Sequence, residues 1–419
     1  MSQLFIKRAL VIAFVIETFC VTYALKFPAF ISIATVLYFL SGATIAVLFL
    51  FLPQATIPFS AVKNKLFHFN AYRFLCMGIM GVMMYHFAAG WMADDPIVVK
   101  DADMLPIIQV MCQRFLHGNW KQVYNIIPEI WGGMNPIYLP AMWLPFSIPQ
   151  ALHIDVRWTT VASLFFAFSV FIVLFKPYKK ELSLLFLALA AFTIFWWLFT
   201  DETPGLVPYT EEGVVIAYYT LLVLALLSGN YWLIAITISL CALSRYSFTG
   251  WLPAYLVYLL LQQQWKKIGQ LVFTGISFLL LFLLLPFGSE IIKNTLQLPS
   301  AYVSFAARVW NDDPEIFPKL LGFSKFFGPD RIALQHLLLI SFSFTVPIVF
   351  VVFCWWMKVR RHKNIFNIPL ASLKVALVLF YSFIDVPYLY LFYTSSFVSL
   401  IAIVFFLRRQ DSGMTIEIS

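Results

Sequence analysis

Two aspartates separated by one residue stand out as groups that could act on a substrate. Asp101 and Asp103 come directly before an apolar segment that begins at Met104. If a helix begins there, Asp103 occupies its N-cap, and a plain capping role is one interpretation. The other is that Asp103 is a general base, which takes a proton from an attacking hydroxyl. Asp101 is the second choice for this role, because residues two apart on a helix point to nearly opposite sides.

Two arginines are the candidates for binding an anion. Arg245 lies in a short turn between two apolar segments, and Arg157 lies two residues after Asp155. A guanidinium at the depth of the lipid headgroups can bind a phosphate through charge-assisted hydrogen bonds. The alternatives are that Arg245 anchors a helix end at the membrane interface and that Arg157 pairs with Asp155. The sequence leaves these alternatives open.

Further polar and aromatic side chains on the connecting segments are predicted to line a substrate cavity. They are Arg114, His117, Tyr138, Trp143, Glu202 and Tyr246. The six histidines have no metal-ligand spacing, and we predict neither a metal site nor a cofactor. A divalent metal stays open as an alternative, because four aspartates offer hard oxygen ligands: Asp101, Asp103, Asp312 and Asp313. The last two precede Pro314, and there we favour a turn.

The composition predicts the class of fold that positions the candidate site residues. The chain is 62% hydrophobic and only 11% charged, which excludes a soluble globular protein. Apolar runs approach the twenty residues that cross a hydrocarbon core of about 30 Å, and we predict an all-α, polytopic transmembrane bundle. The twelve predicted spans are 9–25, 29–52, 74–92, 158–175, 182–199, 214–228, 231–244, 248–263, 268–287, 334–357, 367–384 and 388–407.

The charged residues predict which side each connection faces. Cytoplasmic N- and C-termini place 17 of the 28 basic residues inside and 16 of the 20 acidic residues outside, in agreement with the positive-inside rule. This count includes Lys374 among the cytoplasmic basic residues and leaves Glu17 as the acid within a span. We expect Glu17 to be packed or protonated, and a proton relay is the alternative.

Residues 1–419 are predicted to form a single transmembrane domain with two long outer loops, 93–157 and 288–333. In the first loop, the polar residues from Met104 to Trp120 recur at helical spacing, which predicts an amphipathic helix lying in the membrane interface. The segment from Pro136 to Pro149 carries aromatic residues between prolines, which prevent a regular spanning helix. Both segments are predicted to be juxtamembrane elements that cap a cavity.

The outer loops resemble a known family in several short motifs. These are Asp103-Met104-Leu105-Pro106, Gln113-Arg114-Phe115-Leu116-His117-Gly118 with Tyr124, the run from Pro136 to Pro145, Asp155-Val156-Arg157-Trp158 and Ser244-Arg245-Tyr246-Ser247. Over about residues 85–160 the chain resembles bacterial GT-C-type glycosyltransferases, mannosyltransferase-like membrane proteins that use polyprenyl-phosphate sugars. Two spans precede the one that leads into the first long loop, which departs from the family pattern.

The resemblance implies a many-helix fold, a lipid-phosphate sugar donor and a glycan or lipid acceptor, with Asp103 as the catalytic base and Arg245 as a donor-phosphate contact. It implies an inner-membrane location with the active face periplasmic or extracellular, and no nucleic-acid partner. The first rival is a transporter or flippase, which would have ionisable residues at mid-membrane. The second is a membrane polysaccharide polymerase or ligase, which also has a large outer loop.

Overall fold

The apolar runs of this chain fold into helices, because a helix satisfies its own backbone hydrogen bonds where water is absent. The computed structural model describes residues 3–52, 71–100, 102–176, 182–360 and 366–409. Within these residues the structure is helical, and its β feature is a single bridge between Ile127 and Met134. The main helices are α1 Gln3–Val21, α2 Ile31–Phe49, α3 Ala71–Asp94, α4 Met104–Leu116, α5 Trp158–Leu174, α6 Leu182–Thr200, α7 Glu212–Ser228, α8 Tyr231–Ala242, α9 Trp251–Leu261, α10 Trp265–Leu279, α11 Leu298–Asp312, α12 Ile332–Arg360, α13 Ile368–Phe383 and α14 Phe392–Arg409.

Shorter helical pieces occupy the connections. They are Pro140–Trp143, Ser147–Ala151, Leu206–Tyr209, Leu285–Phe287, Glu290–Leu296, Ile316–Lys319 and Ser324–Phe327, with a π-helical turn at Leu280–Leu284. Single turns of 3₁₀-helix lie at Tyr23–Lys26, Pro28–Phe30, Trp120–Gln122, Leu144–Phe146, Tyr246–Phe248, Pro329–Arg331 and Leu389–Leu391.

Each predicted span coincides with an apolar helix, and the fold is that of a helical membrane protein. Among the described residues, six helical segments are long and apolar enough to cross a membrane: Pro28–Phe49, Ala71–Asp94, Leu182–Thr200, Trp265–Phe287, Pro329–Arg360 and Leu389–Leu407. Other apolar helices, such as α5, α7 and α13, are shorter. The predicted all-α class is therefore confirmed.

Helix α14 lies at the centre of the bundle. Its apolar stretch is fully buried, and it packs against α1, α5, α7 and α13. In contrast, only 17% of the apolar stretch of α3 is buried, and residues such as Val82 are exposed. A helix that is apolar on all sides belongs either in a core or against lipid, and the two helices illustrate both cases.

The first long loop folds against the bundle much as predicted. Helix α4 buries Ile108, Met111 and Cys112, whereas Gln113 and His117 on its polar side are exposed. The proline-rich segment that follows breaks into an extended stretch and short helical turns. It is anchored to the bundle by backbone and side-chain hydrogen bonds, because the Ala141 N–H donates to the Leu243 carbonyl and the Tyr218 hydroxyl donates to the Ala141 carbonyl, each at 2.9 Å.

Two contacts between helix ends join connections that are predicted to lie on the same side of the membrane. The Lys26 ammonium lies 2.9 Å from an Asp201 carboxylate oxygen, and both residues belong to predicted outer connections. At the other end, Arg73 donates to the carbonyl oxygen of Phe175 at 3.2 Å. Several basic residues of the predicted cytoplasmic side lie outside the described residues: Lys63, Lys65, Lys179, Lys180, Arg361 and Lys363.

One residue of the charge count was misplaced. Lys374 is not on the cytoplasmic surface but on α13, where its ammonium lies 2.7 Å from the Glu17 carboxylate, and both side chains are completely buried. Glu17 therefore has a buried counter-charge on another helix. The pairing joins residues 357 positions apart in the chain, and no local pattern in the sequence could reveal it.

The buried pair is fully satisfied by its surroundings. The Lys374 ammonium also donates to the backbone carbonyl and the hydroxyl of Ser395, at 3.0 and 2.8 Å. Glu17 accepts further hydrogen bonds from the hydroxyls of Ser396 and Ser399. The network links α1, α13 and α14, and it provides every hydrogen bond that the ammonium can donate.

Breaking this pair from one side should destabilise the bundle. Glu17→Gln leaves the Lys374 ammonium buried without its counter-charge, and removal of one partner of a buried pair costs about 3–5 kcal/mol. We expect a clear decrease in the thermal unfolding temperature in detergent. The double variant Glu17→Gln/Lys374→Met should recover most of this loss, and equal stability of Glu17→Gln and the unmodified protein would contradict the account.

Candidate functional site

Asp103 precedes α4 but does not cap it. Its backbone carbonyl accepts a hydrogen bond from the Ile107 N–H at 3.0 Å, whereas its side chain makes no capping hydrogen bond. One carboxylate oxygen instead accepts a hydrogen bond from the Trp131 indole at 3.2 Å. The plain capping interpretation is thus not what the structure contains. Asp101, the second choice for the base, lies outside the described residues.

The surroundings of Asp103 change its acidity. The side chain is half-buried, and this desolvation raises the pKa of Asp103 above the ordinary value for an aspartate. The hydrogen bond from Trp131 and the charge of Arg308 act in the opposite direction but do not cancel the effect of burial. A carboxylate with a raised pKa is a better proton acceptor, as a general base near neutral pH requires.

Arg245 lies between two glutamates that the sequence had not singled out. Its guanidinium donates to Glu211 at 3.0 Å and to Glu212 at 2.5 Å, and both carboxylates are completely buried. The Thr394 hydroxyl of α14 also donates to Glu212. With both carboxylates ionised, the three groups carry a net charge of −1, although burial raises the pKa of Glu212 to about 7.

Glu211 keeps one oxygen without a partner. Its Oε2 atom is buried and has no hydrogen-bond donor among the described residues. Desolvation raises the pKa of Glu211, although the charge of Arg245 opposes this shift. Buried polar atoms are almost always hydrogen-bonded, and an unpartnered carboxylate oxygen next to a connection is suited to accept a hydrogen bond from a hydroxyl of a bound ligand.

Tyr138 connects Asp103 with the Arg245 group. It is a half-buried tyrosine that interacts electrostatically with Asp103, Glu211 and Arg245. Its predicted place beside the site is therefore retained. Tyr390 interacts with the same glutamate and arginine, and its hydroxyl lies 3.2 Å from the sulfur of Met104, the first residue of α4. Tyr390 therefore binds the start of α4, and both tyrosines lie within electrostatic range of Arg245.

Tyr246 and Trp143 are bonded within the first loop and the Arg245 turn. The Tyr246 hydroxyl donates to the carbonyl of Ile137 at 3.0 Å, which ties the Arg245 turn to the first loop. Trp143, which was predicted to line a cavity, is completely buried and donates from its indole to the Tyr124 hydroxyl at 3.1 Å. The Trp143 side chain packs in the loop core against Phe115 and Phe287.

Arg157 is buried and bonded to other parts of the protein. Its side chain is 2% exposed, binds both carboxylate oxygens of Asp155 and donates to the backbone carbonyls of Met92 and Asp95. This geometry favours the pairing alternative over a donor-phosphate contact.

Three other predicted lining residues lie elsewhere. Arg114 donates to four backbone carbonyls between Gln122 and Ile126, so it closes the turn that follows α4. His117 ends α4 on its exposed side, and Glu202 is exposed near the start of its connection. The structure does not bring these residues to Asp103 and Arg245. Charge in an outer loop was the signal for each of them, and that signal does not distinguish a surface residue from a site residue.

The described residues hold no cluster of metal ligands. No group of three or more histidine, cysteine, aspartate or glutamate side chains is arranged there to hold a metal ion. Asp312 ends α11 and Asp313 follows it as the C-terminal cap. These two aspartates therefore belong to a helix end and its turn.

Removing the charge of Arg245 should make stability depend strongly on pH. Glu211 already has a folded-state pKa above its unfolded value, so it stabilises the fold only at low pH, and stability decreases as pH rises through that window. Arg245→Met removes the charge that opposes this shift, so the pKa of Glu211 rises further. The pH range over which stability decreases then extends to higher pH. We expect the unfolding temperature of this variant to fall further below that of the unmodified protein at pH 8 than at pH 5.

The matched control for this measurement is the triple variant Glu211→Gln/Glu212→Gln/Arg245→Met, which should lose the extra pH dependence. An equal deficit of Arg245→Met at both pH values would contradict the description of this group.

The site therefore consists of residues from separate connections: Asp103, Tyr138, Glu211, Glu212, Arg245 and Tyr390. Of these, Asp103, Tyr138 and Arg245 were predicted from the sequence, and the two glutamates and Tyr390 were not. Adjacent acids directly before an apolar helix were the one local signal for the glutamates. Comparison of the chain with family models, curated proteins and solved structures gives no match.

Proposed function

We propose that this protein is a membrane glycosyltransferase that moves a sugar, with mannose as one candidate, from a polyprenyl-phosphate donor to a lipid or glycan acceptor. The observation that carries the proposal is the position of Asp103. Its carboxylate caps no helix, is half-buried and shares Tyr138 with the buried group of Arg245 and Glu211. A site of this kind at a bundle end can act on a hydroxyl that arrives from outside and on a donor that arrives from the lipid.

The proposal includes twelve membrane crossings, with both termini in the cytoplasm and the site on the outer side of the inner membrane. The site residues come from connections that the charge distribution assigns to the outside. Asp103 lies in the first long loop, Glu211 in the third outer connection and Arg245 in the turn before α9. Their convergence supports this topology, because connections on opposite sides of a bilayer could not meet.

The chemistry assigns one proton to Asp103. As the acceptor oxygen forms its bond to the anomeric carbon, its proton passes to the Asp103 carboxylate, and the bond between that carbon and the phosphate oxygen breaks with its electron pair on the phosphate. Attack from the face opposite the leaving group inverts the anomeric centre. The free oxygen of Glu211 is suited to accept a hydrogen bond from a sugar hydroxyl.

In this proposal Arg245 is a positioning residue. The guanidinium is held by two carboxylates, and a group with a net charge of −1 repels a phosphate instead of attracting it. Its task is to keep Glu211 and Glu212 ionised and oriented. The predicted contact between Arg245 and the donor phosphate therefore has less support than the assignment of Asp103.

A transporter is the second candidate, and one observation favours it. The buried pair of Glu17 and Lys374 is the kind of intramembrane ionisable pair that transporters use. However, both side chains are completely enclosed and hydrogen-bonded to serines, which is more typical of a structural pair. A transport assay on Glu17→Gln/Lys374→Met separates the candidates, since a structural pair can be replaced without loss of function.

Replacement of the proposed base should abolish sugar transfer. In Asp103→Asn no carboxylate is left to take the proton of the attacking hydroxyl. We expect the transfer rate to fall by about 10²–10⁴-fold. The measurement is transfer of radiolabelled sugar from a panel of polyprenyl-phosphate sugars by purified protein. Asp312→Asn, an exposed aspartate at the end of α11, is the control and should transfer at the unmodified rate. Full activity of folded Asp103→Asn would remove Asp103 from the mechanism.

The pH dependence of transfer should reflect the raised pKa of Asp103. The base works only when ionised, so the rate should decrease as pH falls through this raised pKa. The acidic limb of the profile should therefore lie above the ordinary aspartate value of about 3.9. Initial rates between pH 4 and pH 8 test this, and a rate that stays constant down to pH 4 would argue against Asp103 as the base.

A further inference from the structure

A histidine and an aspartate form a second buried pair that the proposed mechanism has not used. His336 lies in the first two turns of α12, and Asp385 lies in the connection between α13 and α14. The Nδ1 atom of His336 is 2.6 Å from an oxygen of Asp385. His336 is 9% exposed and Asp385 is 3% exposed. An ionised carboxylate only accepts hydrogen bonds, so Nδ1 carries the hydrogen and Nε2 faces away from the aspartate.

Gln335, the residue before His336, fixes the position of the connection that carries Asp385. Gln335 donates from its amide to the backbone carbonyls of Phe383 and Ile384, at 3.1 and 2.8 Å. The connection that carries Asp385 is thereby tied to α12 directly beside His336. The imidazole is thus held in one orientation, as a side chain that binds a ligand should be.

Both members of the pair have a buried atom with no partner. Neither Nε2 of His336 nor Oδ1 of Asp385 has a hydrogen-bond partner among the described residues. An unsatisfied buried polar atom is costly, and two in one pair require an explanation. A polar ligand that reaches Nε2 would supply one.

The pair lies at the edge of the candidate site. Tyr302 of α11 interacts electrostatically with Asp385 and also with Arg245 and Glu211. From Asp385 the chain continues to Tyr388, which interacts with Asp103, and to Tyr390. The rings of these two tyrosines stack at 5.7 Å. One short segment therefore connects the histidine pair with the proposed base.

Charge separates the two ends of the site. The end with Arg245 has a net charge of −1 from three groups, and Asp103 adds a further negative charge. In contrast, the elements packed against the start of α12 carry the basic residues Arg308, Lys325 and Arg331, together with the acidic Asp312 and Asp330. When both ring nitrogens of His336 carry a hydrogen, Nδ1 donates to Asp385 and Nε2 offers an N–H to a ligand. With Asp385 included, these residues are three basic and three acidic, so this end is less negative than the end with Arg245 and Asp103 and repels an anion less.

We infer that His336, held by Asp385, binds the phosphate group of a polyprenyl-phosphate lipid. The inference rests on the proposed function for the identity of the lipid. During transfer, the bond between the anomeric carbon and the phosphate oxygen breaks, its electron pair stays on that oxygen, and the phosphate charge changes from −1 to −2. The acceptor proton goes to Asp103. The N–H of His336 stays on the imidazole and donates a hydrogen bond that strengthens as the phosphate charge increases.

The test measures binding of farnesyl phosphate, a short polyprenyl phosphate, to purified protein in detergent by titration calorimetry, with farnesol as the probe that lacks phosphate. We expect His336→Ala to bind farnesyl phosphate at least tenfold more weakly and Asp385→Asn to lose part of the affinity. Asp330→Asn, an exposed aspartate beside the start of α12, is the control and should bind normally. His336→Gln, which retains a donor, covers the case in which His336→Ala does not fold.

Equal affinity of folded His336→Ala and the unmodified protein, or equal affinity for farnesol and farnesyl phosphate, would overturn the inference. The two proposals fail differently. If no donor supports transfer but binding of the phosphate still requires His336, the transferase proposal fails and the phosphate site stands. If transfer depends on Asp103 but phosphate binding is independent of His336, the phosphate site fails and the transferase proposal stands.

Discussion

The ion pairs of Arg245 with Glu211 and Glu212 are the constraint on which the site depends. Two adjacent carboxylates cannot be buried together without a cation, because desolvation and mutual repulsion would protonate them or unfold the segment. Arg245 is therefore fixed by the start of α7, and the hydroxyl of Thr394 binds the same group from α14. This brings three distant parts of the chain to one end of the bundle. Tyr138 interacts electrostatically with both Asp103 and the Arg245 group, and the Tyr390 hydroxyl binds the sulfur of Met104, the residue after Asp103.

The Glu17 and Lys374 pair and the Arg245 group differ in whether their hydrogen bonds are complete. Glu17 and Lys374 are completely enclosed, and serines of α14 satisfy their remaining hydrogen bonds. At the Arg245 group, in contrast, Glu211 retains a free oxygen, and the nearby pair of His336 and Asp385 has two free atoms. A closed network contributes stability and a unique packing. An open network has a cost that a bound polar ligand would remove, and these three open atoms lie at the end that contains Asp103.

The sequence predicted those features that depend on local pattern. Apolar runs indicated the helices, the polar positions of α4 indicated its exposed side, and prolines indicated the broken segment after Pro136. Pairings between distant residues could not be predicted, since nothing local requires Lys374 to meet Glu17 or His336 to meet Asp385. Charge alone was also a poor guide. Arg157 and Arg114 lie in the predicted outer loops, yet their guanidinium groups donate to backbone carbonyls within the protein. The position of Asp103 directly before a helix was predictable, because an aspartate before an apolar periodic segment is a local signal.

The most direct test of the account is a structure of the protein in lipid nanodiscs with bound farnesyl phosphate. The central claim is that the connections around Asp103, Arg245 and His336 form one site for a lipid phosphate and a sugar. The account predicts density for the phosphate at Nε2 of His336, with space for a sugar between that phosphate and the Asp103 carboxylate. Phosphate bound at the opposite end of the bundle, near Arg73 and the Phe175 carbonyl, would contradict it.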